Sequence, residues 1–210
     1  MKYIHVYALS LMFVVCVSCN GQRNIEPSKD HIKSINAETE RKGAIIQNSL
    51  PKGGVAINGK KGYTDPTGIS HGFGIFWTRI INETATPLEL TISFPQDSFA
   101  ISSAPNSYFK LLLPPDTMTL EKQSLYNYGY KTSDVRSFLD TSFNKPSFLR
   151  RTINPKEECL LYVMMLIHLP DNGAIRTGFV LKEEDLLYKV SIAGQLDSAS
   201  FLCGKIVFRK

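Results

Sequence analysis

The stretch from Phe73 to Phe94, FGIFWTRIINETATPLELTISF, decides the fold class of this chain. In its second half, polar residues alternate with four apolar residues, which are Leu88, Leu90, Ile92 and Phe94. Period-two alternation is typical of a β-strand with one buried face. The polar turn between the two halves is too short to hold a crossover helix. The stretch therefore predicts two strands, paired with each other as a β-hairpin.

Patterns elsewhere in the chain extend this interpretation. Cys159 to Leu169 is a nearly unbroken apolar run, which indicates a central strand covered on both faces. Ser133 to Asp140 is the one good helical candidate. Eight or nine strands separated by turn signals predict an all-β fold, an antiparallel two-sheet sandwich that is immunoglobulin-like, with one short helix. A small barrel is the alternative.

Length and charge limit the classes of function. The 210 residues suffice for one domain with a leader and a tether. The net charge of +5 is modest and no basic run of five residues occurs, so we expect no nucleic-acid partner. The sequence predicts no cofactor and no metal site, because no HExxH or paired Cys-x-x-Cys motif remains after processing of the leader.

The first residues are typical of an export signal. One positive charge, Lys2, precedes an apolar run from about Val6 to Val17, which is shorter than a membrane span. Residues 20 to about 42 are polar and cannot bury enough surface to fold alone. We predict a lipoprotein signal peptide at 1–18, a flexible tether at 19–42 and a β-sandwich domain at 43–210.

The segment Val17-Ser18-Cys19-Asn20 resembles a bacterial lipobox, with Cys16 where leucine is usual. This relaxed form is similar to the signals of Bacteroidota lipoproteins. Together with the phrase WTRIINETATPLELTISFP, it makes the chain resemble uncharacterised lipoproteins of that group. The resemblance implies lipidation of Cys19 and a membrane-anchored place in the cell envelope, and it implies no known activity. Surface-exported lipoproteins of this group often have an acidic cluster after the cysteine; none follows Cys19, so the resemblance implies the periplasmic side.

Gly68-Ile69-Ser70-His71-Gly72 matches the G-x-S-x-G pattern of a hydrolase nucleophile elbow. That motif needs a strand before the serine and a helix after it, whereas a turn precedes this one and a strand follows. We therefore interpret the segment as the start of a strand. An envelope hydrolase that uses Ser70 or His71 is the least favoured function.

Two cysteines remain after processing of the leader, Cys159 and Cys203. They could form a disulfide in an oxidising compartment. The alternation around Cys203 places it with Lys205, away from the core, so two unpaired thiols are the favoured interpretation.

Tyr126, Tyr128 and Tyr130 would share one face if their segment were extended, and Trp77 could join them. Such rings can bind sugars or proteins, although covering a sheet is the commoner role. We predict a non-catalytic, lipid-anchored binding or structural protein whose partner is an envelope protein or glycan. A carbohydrate-binding module is the alternative.

Overall fold

The computed structural model describes residues 43–53, 56–57, 60–101, 106–168, 175–192 and 198–209. The predicted signal peptide, Cys19 and the tether lie outside these residues. The described residues form these strands: β1 (Ala44–Asn48), β2 (Lys52–Gly53), β3 (Ala56–Ile57), β4 (Lys60–Lys61), β5 (Tyr63–Thr64), β6 (Ser70–Asn82), β7 (Leu88–Phe94), β8 (Phe99–Ala100), β9 (Tyr108–Leu112), β10 (Ser147–Ile153), β11 (Glu158–His168), β12 (Ile175–Lys182), β13 (Asp185–Ile192) and β14 (Ser198–Phe208).

Two antiparallel sheets make up the body of the protein. The first has the order β1-β6-β11-β9-β8, and β2 and β5 also pair with β6. The second has the order β10-β7-β14-β13-β12, and β3 pairs only with β4. The predicted all-β, antiparallel two-sheet sandwich is confirmed.

The predicted hairpin between β6 and β7 is wrong. Both strands form, but β6 belongs to the first sheet and β7 to the second, so the five residues 83–87 cross from one sheet to the other. Packed sheets lie about 10 Å apart, a distance that a loop of this length spans as readily as it turns within one sheet. Alternation and loop length therefore fit both arrangements.

The main core lies between the sheets. From the first sheet it takes the inward residues of β6 and β11, and from the second sheet the inward residues of β7, β13 and β14. Its fully or almost fully buried members include Phe76, Ile80, Leu88, Leu90, Ile92, Phe94, Val163, Met165, Tyr188 and Ile206. The four alternating residues of β7 all point into this core, which confirms the face that the sequence predicts for them.

A second core covers the opposite face of the first sheet. The chain between β9 and β10 forms two short 3-10 helices (Leu120–Ser124 and Tyr126–Gly129) and one α-helix, α1 (Thr132–Ser142). Val135 and Leu139 of α1 pack with Met164 and Leu166 of β11. Residues 161–167 of β11 are consequently all buried, so the predictions of a doubly covered central strand and of one short helix are confirmed.

Within the described residues, no helix is long and apolar enough to cross a membrane.

Candidate functional site

Four ring side chains lie in a row across one end of the first sheet. Tyr63 of β5 pairs with His71 of β6, and His168 of β11 pairs with Tyr108 of β9. The β6–β11 ladder runs up to the pair of Ile167 and Gly72, so the next step places His168 beside His71. Paired residues of neighbouring strands face the same side of a sheet. We call these four residues the ring row.

Distances between ring centroids define the ring row. They are 6.5 Å from Tyr63 to His71, 6.2 Å from His71 to His168, and 5.0 Å from His168 to Tyr108. Phe143, which follows α1, packs 5.8 Å from His71 and 5.9 Å from Tyr63. Tyr63 and His71 are buried, whereas His168 and Tyr108 are half-buried and form the solvent-facing end of the row.

A buried carboxylate anchors this row. The Nε2–H of His71 donates to Oδ2 of Asp65 at 2.9 Å. The other oxygen, Oδ1, accepts from the amide and hydroxyl of Thr67 and from the amide of Ile69. Burial acts to raise the pKa of Asp65, but the hydrogen bonds from His71, Thr67 and Ile69 outweigh it and lower the pKa to about 2.

The local sequence explains why this pair forms. Asp65-Pro66-Thr67-Gly68 is a tight turn in which the amide of Gly68 donates to the carbonyl of Asp65 at 3.0 Å. Gly68 takes a φ of +90°, which favours glycine. The turn joins β5 to β6 and brings Asp65 back against His71, six residues later.

Two further polar contacts surround the row. The hydroxyl of Tyr63 donates to Asp140 of α1 at 3.2 Å, and its pKa rises to about 12 because of burial first and then the Asp140 charge. The ammonium of Lys110 donates to the carbonyl of Gln96 and lies 4.9 Å from the Phe143 ring centroid. Burial lowers the pKa of Lys110.

The candidate site thus consists of a buried Asp65–His71 pair surrounded by ring contacts and by hydrogen bonds within the protein. Comparison of the chain with family models, with curated proteins and with solved structures gave no match.

Such a histidine–carboxylate pair is the base and orienting half of a catalytic triad. Ser70 does not complete it. Ser70 and His71 are consecutive residues of β6, so their side chains point to opposite faces. The Ser70 hydroxyl lies 3.4 Å from that of Thr64, and the Nδ1–H of His168 donates to the Ser70 carbonyl. Ser70 begins a strand, as the sequence indicates, and the nucleophile-elbow alternative is wrong.

The predicted face of three tyrosines is not formed. Their segment is a tight turn with left-handed backbone at Asn127 (φ 47°) and Tyr128 (φ 53°), so it is not extended. Tyr126 is 71% exposed, whereas Tyr128 and Tyr130 are buried in the second core. Because one of the three rings is exposed and the other two are buried, the premise of one shared platform is wrong. Ligand binding by these residues stays a prediction.

Trp77 and Tyr128 take part in the second core. Trp77 is half-buried there, on the outward face of β6. The hydroxyl of Tyr128 donates to the carbonyl of Leu50, and its carbonyl accepts from the hydroxyl of Tyr162 at 2.7 Å. These contacts fix the turn onto the first sheet.

The two cysteines are free thiols, so the disulfide that they could form is not present. Cys203 is buried, and its thiol donates to the carbonyl of Leu186 at 3.1 Å. The predicted outward direction of Cys203 is wrong, because a bulge between the pairs Leu186–Gly204 and Leu187–Leu202 shifts the alternation by one residue. Burial raises the pKa of Cys203 to about 12.

The site has two chemical regions. In the buried region, both carboxylate oxygens of Asp65 and Nε2 of His71 are committed to hydrogen bonds within the protein. The outer region, His168 with Tyr108, presents a half-buried imidazole and phenol at the end of the first sheet. Within the described residues, no group of three or more His, Cys, Asp or Glu side chains is placed to hold a metal ion.

His71 was a candidate from the sequence, whereas its partner Asp65 was not predicted. A signal was present, because the Asp-Pro-Thr-Gly turn reverses the chain and so places its first residue near the strand that follows. The row across β5, β6, β11 and β9 had no local signal, since these strands are brought together by pairing between distant segments.

Proposed function

We propose that the protein is a lipid-anchored component of the cell envelope and acts there as a non-catalytic binding or structural module. One observation carries the proposal: an apolar leader ends in Val17-Ser18-Cys19-Asn20, the pattern that precedes lipidation in bacterial lipoproteins. Two or three acyl chains on Cys19 would anchor the chain firmly, whereas a single chain binds a bilayer only marginally.

The internal arrangement of the domain supports a non-catalytic role. The polar groups around Asp65 and His71 resemble a scaffold that joins the β5–β6 turn to the sheet. All four hydrogen bonds to the Asp65 carboxylate come from within the next six residues. A network of this kind fixes a turn, and a partner would be bound elsewhere on the domain.

The finer assignments belong to the same proposal. We place the protein on the periplasmic side, because no acidic cluster follows Cys19. The sandwich is proposed to be immunoglobulin-like, on the basis of its two antiparallel sheets. Its partner is proposed to be an envelope component. A glycan-binding role, the second candidate, would use the exposed ring of Tyr126.

The leader offers a matched test, since it holds two cysteines three positions apart. Cys19→Ala is expected to move the protein from the membrane fraction to the soluble fraction and to abolish the mass of the lipid in the mature N-terminal peptide. Cys16→Leu, which puts the usual lipobox residue at that position, is the control and should leave both unchanged. Equal membrane retention of the two variants, with no lipid on Cys19 in the wild type, would overturn the proposal.

A further inference from the structure

Among the described residues, no second core covers the outer face of the second sheet, unlike that of the first sheet. In β10, β7, β14, β13 and β12, side chains that alternate with the core residues point away from the sandwich. We call this surface the open face. Two of the largest exposed apolar side chains of the described residues lie on it: Phe148 is 67% exposed and Leu202 is 59% exposed.

Apolar residues on the open face form a row across the strands. Val180 of β12 pairs with Leu187 of β13, and Leu187 pairs with Leu202 of β14. At the far edge, Phe148 of β10 pairs with Ser93 of β7. Because the bulge turns Cys203 inward, Leu202 is left facing outward on the same side as Ser93. With neighbouring strands about 4.8 Å apart, the row extends over about 19 Å from Val180 to Phe148 and is interrupted by Ser93 at β7.

A row of charged residues runs beside the apolar row. Arg150 and Lys205 both pair with Thr91, while Asp185 pairs with Lys205 and with Lys182. On the same face of the sheet, further positive charge comes from Lys189, Arg176 and Arg209, and negative charge comes from Glu89. The outward charges are Arg150, Arg176, Lys182, Lys189, Lys205 and Arg209 against Glu89 and Asp185, so six basic residues face two acidic ones.

The two acidic residues are already paired with basic ones. Glu89, whose side chain is 13% exposed, lies 3.0 Å from Arg209 and 4.0 Å from Arg150. Asp185 lies 3.9 Å from Lys205. Glu183 and Glu184 form the turn at one end of the face and leave its centre basic. The open face therefore combines an apolar row with an excess of positive charge.

We propose that the open face binds an anionic lipid surface, so that the domain lies against the bilayer in which the proposed lipid on Cys19 is inserted. This rests on the proposed function, which keeps the domain close to a membrane. Charge complementarity selects the occupant, because basic residues attract anionic headgroups. A second copy of the chain would bring like charges together. Phe148 and Leu202 supply the apolar contacts that enter the headgroup boundary.

Anchoring makes even weak binding by this face effective. The predicted tether of residues 19–42 would hold the domain within a few tens of ångströms of the bilayer. Binding of the face then becomes intramolecular, and its strength is set by a high local concentration of lipid. The open face thus sets the orientation of the domain, which decides which of its surfaces an envelope partner can reach.

The test uses the chain from residue 19 onwards with Cys19→Ser, which carries no lipid and contains the whole described sandwich. Cosedimentation is measured with vesicles of phosphatidylglycerol and phosphatidylcholine, and with phosphatidylcholine alone. We expect binding to the anionic vesicles that added salt weakens. Removal of each basic residue should weaken binding about five-fold, so Lys189→Gln with Lys205→Gln should weaken it about twenty-five-fold.

Lys131→Gln with Lys145→Gln is the matched control, because it removes the same charge from the helical layer on the opposite side of the protein. It should change binding by less than about two-fold. Leu202→Ser tests the apolar row with no change in charge and should also weaken binding. All variants alter exposed side chains, and unchanged melting temperatures will confirm that they fold.

Equal loss in both lysine pairs would overturn the proposal, since net charge alone would then explain binding. Equal binding to neutral and anionic vesicles would overturn it as well. Dimers that Lys189→Gln with Lys205→Gln disrupts, without any vesicle binding, would assign the face to self-association instead. None of these results depends on Cys19, so lipidation in cells can succeed or fail independently.

Discussion

Asn82 holds the loop that carries the chain from the first sheet to the second. Its side chain is fully buried. The amide nitrogen donates to the carbonyls of Thr86 at 2.8 Å and Ile153 at 2.9 Å. The amide oxygen accepts from the backbone amide of Thr84 at 2.9 Å and from its hydroxyl at 2.6 Å. This Asx turn fixes the start of the loop and joins it to the end of β10.

Replacement of Asn82 by alanine should be strongly destabilising. Each of the four hydrogen bonds contributes about 1 kcal/mol, and the Ile153 carbonyl would be left buried without this partner. We therefore expect Asn82→Ala to lower the free energy of unfolding by about 4 kcal/mol, a large part of the stability of an ordinary domain. Asn82→Asp should not rescue it, because a carboxylate cannot donate to the two carbonyls.

Urea denaturation followed by fluorescence measures this effect. Asn154→Ala is the control, since its exposed side chain lies on the adjacent turn and donates to Glu157 at 2.9 Å. That change should cost less than about 1 kcal/mol. The Asn82 side chain does not hold the loop if Asn82→Ala costs no more than the control with an unchanged m-value. The amide would then be dispensable for the crossing loop.

Three further predictions follow from buried contacts. A Cβ at Gly178 would lie 2.5 Å from Cγ of Asn48, whose amide bridges the sheets by bonding both backbone groups of Phe179. Gly178→Ala should therefore lower the free energy of unfolding by about 2 kcal/mol. In an Asn48→Gly background the same change should cost much less, which denaturation of the four proteins of a double-mutant cycle measures. The pKa of Asp65 is lowered to about 2, so the stability that its carboxylate gives to the fold is present above its ordinary pKa and is lost as pH falls towards 2. When the pH is lowered from 4.5 to 2, Asp65→Asn should therefore lose about 2 kcal/mol less stability than the wild type. The Cys203 thiol is buried with its pKa raised to about 12, so iodoacetamide should label it only after unfolding, by mass spectrometry.

The sequence predicted strands well and their partners poorly. Alternation in β7 and the apolar run of β11 are local properties, and they identified both strands and the faces that they bury. Pairing depends on residues far apart in the chain. Leu88 to Phe94 pairs with β10 and β14, whose sequences begin more than fifty residues later. A short polar loop carries no information on which sheet the next strand joins.

The candidate site was harder to predict for related reasons. One extra residue in a bulge reversed the direction of Cys203, and the only local signal of that bulge was Gly204 beside it, because an isolated glycine in a strand often marks one. Left-handed backbone at Asn127 and Tyr128 separated three tyrosines that strand geometry would have aligned. The Asp65–His71 pair was within reach of sequence reasoning, because a four-residue turn makes the contact local.

The layers of the protein explain why its surfaces differ. The first sheet lies between two cores, since β11 is apolar on both faces and the helical segment covers its outer side. The second sheet has one buried face, because β7 alternates strictly. The Asp65–His71 pair on the first sheet is thus enclosed, and it stabilises a turn. Side chains that project from the second sheet remain in solvent, so Phe148, Leu202 and the basic residues of the open face are accessible to a partner. An interaction of this domain through a sheet face is therefore expected on the second sheet.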